Sequence, residues 1–244
     1  SGPVRLTDAG AKILTVPIVL RRQTPLSVLG TPILASNLAF AYAGSSLIAM
    51  QAYAAVLPLW SHLQTSGPEQ LPSVRAFAEH LGKFVLAYTE HVSSANNGFQ
   101  SCQCAIIGYD ASVQTIEGWI VRPELGEKIS ISLEKMNLGR GEIAVFGSGA
   151  NSAHRELNAL PPRNENLWRR EPLQMIRQYI NADSAADVGG GVQLGYVQEE
   201  GFQLSFDVQP DGMGTPIPIM RFRGFDFSEV STVGRAFVNL PGMA

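Results

Sequence analysis

Apolar residues recur along the chain with two different periods, and each period predicts its own kind of element. Short apolar runs, and apolar residues that alternate with polar ones, predict β-strands. The clearest case is 202–208, where every second residue is apolar and the residues between are polar, as in an antiparallel strand with one buried face. Strands are predicted on this basis at 13–20, 37–43, 104–109, 115–121, 129–133, 142–146, 192–197, 202–208 and 217–227.

Other segments show the three- and four-residue spacing of helices. The first follows a Gly-Ser-Ser turn at 44–46, where a serine is placed to cap it, and it is apolar nearly all round. That pattern is typical of a helix covered on both sides. The second is amphipathic, and the third carries a proline in its first turn, where proline is tolerated. Helices are predicted at 46–63, 73–92 and 171–182.

The order of the predicted elements indicates the fold class. Strands come first, then two helices, several strands, one helix and further strands, with connections often too short for parallel crossovers. This order favours an antiparallel α+β fold. No linker or charge run divides the chain into parts of different composition, so a single domain over residues 1–244 is expected.

Charge and hydropathy exclude two classes of partner. With 18 basic and 21 acidic residues, the formal net charge is −3, and the chain lacks the basic excess that drives binding to nucleic-acid phosphates. The most apolar stretch, 47–60, contains Gln51 and Pro58 and is shorter than the roughly 20 residues that a bilayer crossing requires. Neither nucleic acid nor a membrane is expected as a partner.

The cysteines and the first residues bear on location. Cys102 and Cys104 are two apart on a predicted strand, which places both on one face and makes a mutual disulfide awkward. A reducing compartment fits this pair. The first five residues lack the basic and then apolar profile of a secretory signal. We expect a cytoplasmic protein.

Metal and nucleotide sites are not indicated. The four histidines lie on different predicted elements without a recognised metal-ligand spacing, and His80 and His91 are expected on a helix surface. Glycine clusters at 147–149 and 189–191 lack the lysine and hydroxyl of a phosphate-binding loop. No metal and no cofactor are therefore expected.

Four local motifs follow one another along the chain. They are Ala11-Lys12-Ile13, Tyr42-Ala43-Gly44-Ser45-Ser46, Phe146-Gly147-Ser148-Gly149, and Asp183-Ser184-Ala185-Ala186-Asp187 before a glycine-rich turn. With the predicted elements around them, they resemble the proteasome β-subunit-like family of N-terminal-nucleophile (Ntn) hydrolases, as a bacterial relative. In that family a lysine opens a strand, an Ala-Gly pair ends the next strand before a long helix, a Gly-Ser-Gly follows a later strand, and an aspartate closes the third helix. The resemblance covers most of the chain.

The resemblance implies a fold, a reaction and a site. The fold is a four-layer α-β-β-α sandwich of antiparallel sheets, and the reaction is hydrolysis of a peptide or amide by an N-terminal Thr, Ser or Cys whose own α-amine is the base. Lys12 is expected to lower the proton affinity of the nucleophile, and the Gly44 backbone N–H to donate to the oxyanion. Ser148 and Asp183 are expected as supporting polar partners. Taken singly, each of the four residues is more often a strand end, turn or loop residue.

Family members assemble into rings or spirals, so the resemblance also implies a homo-oligomer. Family chains begin with the nucleophile, on a strand hairpin that precedes the lysine, whereas eleven residues precede Lys12. Three explanations remain: the hairpin precedes Ser1 in a longer chain or a separate peptide, Ser1 is itself the nucleophile, or catalysis is lost. We favour the first.

The alternative function is a catalytically inactive, proteasome-like structural or interaction protein. Ala186 stands where the family pattern has a serine, which keeps that alternative open. A small-molecule-binding α+β domain is a third interpretation, and it depends on the glycine clusters alone.

Overall fold

The computed structural model describes residues 11–23, 31–66, 71–139, 142–147, 149–159, 171–181, 192–209, 219–223, 225–240 and 242–243. No helix within these ranges combines the length and the apolar character needed to cross a membrane. The chain divides into two compact units. The first comprises Ser1–Ile13, Ser148–Tyr196 and Leu204–Ala244, and the second comprises Leu14–Gly147 and Val197–Gln203. The expectation of a single domain stays a prediction.

A six-stranded sheet is the centre of the second unit. Its strands run in the spatial order β3-β1-β2-β4-β5-β6. The pairs from β2 to β6 are antiparallel, and the short β3 is parallel to β1. The strands are β1 (Ile13–Arg22), β2 (Pro32–Gly44), β3 (Leu63–Thr65), β4 (Cys102–Asp110), β5 (Thr115–Leu125) and β6 (Ile129–Lys135).

Strand register defines two faces of this sheet. Cys104 pairs with Val121, and a Cβ added at Gly82 of the second helix would lie 3.7 Å from Val121 Cγ1. We call this side the helix face. Ala105 pairs with Ile120 on the other side, where residues that follow β6 pack on them. We call that side the loop face.

Helix α1 (Ser46–Trp60) begins as its sequence predicts and ends earlier than predicted. Ser45 is the N-cap, with its hydroxyl accepting from the Ile48 N–H, and Pro58 lies inside the last turn. The helix carries no charged residue. Leu47, Met50 and Leu59 of this helix are exposed by 55%, 38% and 45%. Within the described part of the chain, the covered side of the helix carries Ile48, Ala52 and Val56, and its outer side, with Leu47 and Met50, is exposed.

Helix α2 (Val74–Ala95) is the amphipathic helix that the spacing predicts. Ser73 caps it, accepting from the Ala76 N–H at 3.1 Å. A second acceptor is the buried Asp110 at the end of β4, whose Oδ2 receives the Val74 N–H at 2.8 Å. The Asp110 carboxylate also accepts from the Ser112 N–H and hydroxyl. One carboxylate therefore fixes both the helix start and the β4–β5 turn.

Further helices and small sheets follow, mostly in the first unit. Helices α3 (Ala150–Asn158) and α4 (Glu171–Asn181) contact each other, and Tyr179 of α4 donates to Glu156 of α3 at 2.6 Å. Arg177 of α4 pairs with Asp207, of which 1% is exposed. The remaining elements are β7 (Leu194–Gln198), β8 (Gly201–Gln209), β9 (Ile219–Phe222), β10 (Phe225–Asp226), α5 (Phe227–Val230), β11 (Thr232–Val233), β12 (Ala236–Phe237) and β13 (Gly242–Met243).

Two further sheets join these strands. A five-stranded sheet has the order β10-β9-β8-β13, with β7 also paired to β8, and β11 and β12 form a separate pair. The β8–β9 and β9–β10 pairs are antiparallel, whereas β13 is parallel to β8. The described chain is therefore a mixture of helices and mostly antiparallel sheets, which confirms the coarser part of the predicted α+β fold.

The structure corrects the predicted elements in several places. Residues 142–146 form no strand, because Ala144 and Phe146 pack on the loop face of the sheet instead of joining a ladder. The predicted strand 217–227 is interrupted at Arg223, which has a φ of +54°. The predictions missed β3 and α3. Helix α3 starts at Gly149 without a side-chain cap, so its sequence carries no start signal.

Candidate functional site

Gly44 ends β2 in a backbone conformation that favours glycine. Its φ is +90°, and an added Cβ would lie 2.6 Å from the Ser101 carbonyl oxygen. In the β2–β4 register, Gly44 lies opposite Cys102. The next residue, Ser45, donates its N–H to the same Ser101 oxygen at 2.9 Å and caps α1. The predicted oxyanion residue is therefore an exposed glycine at a tight turn from strand to helix.

The Gly-Ser-Gly motif begins close to this turn. Gly147 has a φ of +97°, and a Cβ added there would lie 2.7 Å from the Ala43 Cβ. Its N–H donates to Gln103 Oε1 at 3.1 Å. The residue before Ser148 thus lies against the residue before Gly44. Ser148 itself falls outside the described residues.

Lys12 lies immediately before β1 and is exposed. Its backbone N–H and that of Ile13 both donate to Gln193 Oε1, at 2.7 and 3.0 Å. Arg223 Nη2 donates to the Ile13 carbonyl oxygen at 2.7 Å. Two side chains distant in sequence therefore hold the main chain at the start of β1. Lys12 belongs to the first unit and Gly44 to the second, so their convergence stays a prediction, and Asp183 lies outside the described residues.

Strands β1 and β2 are neighbours in the sheet. Only residues 23–31 separate them, which is too short for the crossover that a parallel pair requires. The Arg22 N–H donates to the Thr31 carbonyl oxygen at the connecting end. In such a hairpin Leu14, the second residue of β1, lies toward the same end of the sheet as Gly44.

Two cysteines lie on the helix face beside Gly44. The Sγ atoms of Cys102 and Cys104 are 3.6 Å apart, both side chains are buried, and both thiols are free. Their placement on one face of the sheet confirms that part of the sequence prediction. The hydrogen bond to Cys102 and burial raise the pKa of the Cys104 thiol. A buried, protonated thiol is a poor nucleophile, so Cys104 does not take that role.

Tyr42 shares this face with the two thiols, since it pairs with Cys104 across β2 and β4. Burial raises the pKa of the Tyr42 phenol, and the neighbouring Cys102 and Cys104 raise it further. The phenol and the Cys104 thiol therefore stay neutral at physiological pH. All three side chains are buried on the helix face of the sheet.

His80 is a partly exposed residue of α2, as expected of a helix surface. In addition, its Nδ1 accepts from the Trp60 indole N–H at 3.1 Å, and its ring lies 5.3 Å from that of Phe84. Burial lowers the pKa of His80, and the charge of Lys83 lowers it further. Among the described residues, no group of three or more His, Cys, Asp or Glu side chains forms a metal site.

No sequence motif indicates Gln103, whose side chain contacts the Gly147 N–H. It lies on β4 opposite Ala43, one pair away from Gly44. This contact depends on strand register together with the return of residues 142–147 over the loop face.

Comparisons of the chain with protein-family models and with curated proteins find no match.

Proposed function

We propose that the chain is the greater part of a proteasome-like Ntn hydrolase with a four-layer α-β-β-α sandwich. The nucleophile, an N-terminal Thr, Ser or Cys, precedes Ser1 in the complete protein. The substrate class is peptides or other amides, and the reaction needs no metal or organic cofactor. The supporting observation is the position of Gly147 against Ala43, because it brings the first residue of the Gly-Ser-Gly motif next to the residue that precedes Gly44.

The proposed mechanism assigns a role to each predicted residue. The nucleophile attacks the amide carbonyl while its own α-amine accepts the proton. The Lys12 ammonium stabilises the ionised nucleophile. The Gly44 N–H donates to the oxyanion of the tetrahedral intermediate, and Ser148 and Asp183 hold the surrounding polar network.

The test is covalent labelling of the complete, naturally processed protein with a hydroxyl-reactive proteasome inhibitor. We expect one inhibitor per chain, located by peptide mass spectrometry on the N-terminal residue. Labelling elsewhere, or none on correctly processed protein, would contradict the proposal. Intact mass spectrometry of the same sample checks the hairpin: a longer chain or a co-purifying short peptide is expected.

A second candidate is a catalytically inactive protein with the same fold. It is favoured by Ala186, which replaces the serine that follows the aspartate in the family pattern. Absence of the covalent adduct on protein whose natural N-terminus is verified would support this candidate over the enzyme.

The proposal includes a homo-oligomer, in which the uncharged outer side of α1 is partly covered by a neighbouring copy. That side exposes Leu47 and Met50. Light scattering should give a mass several times that of one chain. A mass equal to one chain over the micromolar range would contradict this part of the proposal.

A further inference from the structure

We propose that Gln103 is a positioning residue that fixes the Gly147 turn beside the end of β2. The inference rests on the proposed function, since it concerns the same site. It starts from how residues 142–147 cross the loop face of the sheet. Ala144 and Phe146 pack there against the cluster of Ala105, Ile120 and Met136. Apolar contacts of this kind are not directional, so they leave the turn's position along the strands undetermined.

A directional contact is supplied at the end of this segment. Gln103 Oε1 accepts the Gly147 N–H at 3.1 Å. Since a hydrogen bond weakens steeply when its angle or distance changes, this bond restricts where the turn can lie. Gln103 lies opposite Ala43, and the adjacent pair joins Gly44 to Cys102. The acceptor therefore belongs to the strand that directly flanks the predicted oxyanion glycine.

Gly147 makes this position possible. With a φ of +97° and only 2.7 Å from an added Cβ to the Ala43 Cβ, the backbone approaches β2 more closely than any other residue allows. Because Gly147 has no side chain, its backbone can approach β2 closely. The hydrogen bond to the Gln103 side chain then fixes where along the strands Gly147 lies. Both features act on the same residue from neighbouring strands. A loop held in this way is preorganised, and preorganisation is what a site for a developing charge requires.

The chemistry of Gln103 predicts which substitutions are tolerated. Gln103→Glu keeps an acceptor oxygen at the same chain length. Gln103→Leu has a similar size but no acceptor, and it leaves the partly buried Gly147 N–H unpaired. Leucine is compatible with the loop face, where Ala105 and Ile107 already lie, so the fold should persist. Gln51→Leu, on the exposed side of α1, is the matched control for the amide-to-leucine change.

The first measurement is amide hydrogen exchange of Gly147 in the chain, followed by NMR. In Gln103→Leu we expect exchange at Gly147 to quicken by about five-fold or more, while amides of β5 exchange as before. Gln103→Glu and Gln51→Leu should retain the original rate. Unchanged exchange at Gly147 in Gln103→Leu would overturn the inference, whatever the activity of the protein.

The second measurement is the rate constant of inhibitor adduct formation in the complete protein. Gln103→Leu should react about ten-fold more slowly or worse, and Gln103→Glu should restore most of the rate. Equal rates in all three proteins would overturn the positioning role. If the unaltered protein forms no adduct, the proposed function fails and the positioning role falls with it. That result differs from a failure of Gln103 alone, in which the unaltered protein reacts.

Discussion

Gly44, at the end of β2, combines a positive φ with a close contact to a neighbouring strand. Gly44 has a positive φ and a carbonyl oxygen within 2.6 Å of where a Cβ would be. Gly149 has a similar φ of +80°, but among the described residues other than its chain neighbours no heavy atom lies within 4 Å of that position. Comparing alanine substitutions at the two glycines therefore distinguishes the free-energy cost of a positive φ, which both share, from the cost of a steric clash, which only Gly44 has.

Gly44→Ala should lower the free energy of unfolding more than Gly149→Ala. The left-handed conformation costs a non-glycine residue about 1–2 kcal/mol, which is all that Gly149→Ala should lose. Displacement of the Ser101 carbonyl should add about 1–3 kcal/mol at Gly44. Urea unfolding followed by circular dichroism measures both. Equal losses would show that the Ser101 contact relaxes without cost.

Lys12 carries a second prediction, which depends on the proposed function. Lys12→Ala should lower the rate constant of adduct formation by about a hundredfold or more. The melting temperature should stay unchanged because the side chain is exposed. Lys128→Ala, which removes another exposed lysine, is the control. An undiminished rate of adduct formation in Lys12→Ala would remove this residue from the site.

From the contacts of His80 we expect the free energy of unfolding to depend on pH. Its Nδ1 accepts the Trp60 N–H only when unprotonated, and burial, then Lys83, lowers its pKa in the folded chain. Helix α1 contributes no charged group to this contact. As the pH falls below about 6.5, the unfolded chain binds a proton that the folded chain resists. Stability is therefore complete above that pH and declines below it, until the lowered pKa of the folded state is reached.

The measurement is urea unfolding between pH 8 and pH 5 of the unaltered protein and of His80→Asn. Asparagine can offer an acceptor oxygen near the Nδ1 position without titrating, so the variant should lose less stability on acidification. His91→Asn, at an exposed position, should behave like the unaltered protein. The same acid loss in all three would exclude His80 as its source.

At the scale of elements, the start of α2 depends on a residue of another strand. Ser73 is the local cap that the sequence signals. Asp110 accepts the Val74 N–H from a position 36 residues away and also binds Ser112. Because Asp110 is buried and Ser73 lies nearer the surface, the two acceptors should contribute unequally.

Asp110→Ala should cost more stability than Ser73→Ala. Loss of the serine cap typically costs about 1 kcal/mol, whereas Asp110→Ala leaves several backbone and hydroxyl donors without their acceptor, at about 2–4 kcal/mol. Urea unfolding of both variants measures the difference. A smaller loss in Asp110→Ala than in Ser73→Ala would show that water replaces the carboxylate.

For the whole molecule, burial is distributed unevenly between the two units. Among the described residues, the largest fully buried side chains all belong to the second unit: Trp60, Phe40, Leu20, Leu38, Ile48, Leu81, Ile106, Val16, Val56, Val74, Val85 and Val121. Apolar burial is the main source of stability, so the second unit should be the more stable of the two.

Hydrogen exchange followed by mass spectrometry should show this difference. Peptides from α2, β4 and β5 should be the most protected, and peptides from α3 and α4 should exchange at a lower free energy of opening. Similar protection across all five elements would show that the units unfold together and that burial alone does not rank them.

Much of the local structure was determined by the sequence itself. Period and capping predicted α2 with its Ser73 start, and alternation predicted β8. The same alternation placed Cys102 and Cys104 on one face. These features succeed because side-chain direction and helix capping depend on residues only a few positions apart.

Contacts between residues far apart in the sequence were decided only by the tertiary structure. Residues 142–146 have the composition of a strand but pack as a loop. His80 accepts a hydrogen bond from Trp60 of another helix. Gln103 meets Gly147 across 44 residues of chain. Partners so far apart in sequence are chosen by strand register and by the surface left for each segment to cover, and no local pattern encodes either of these.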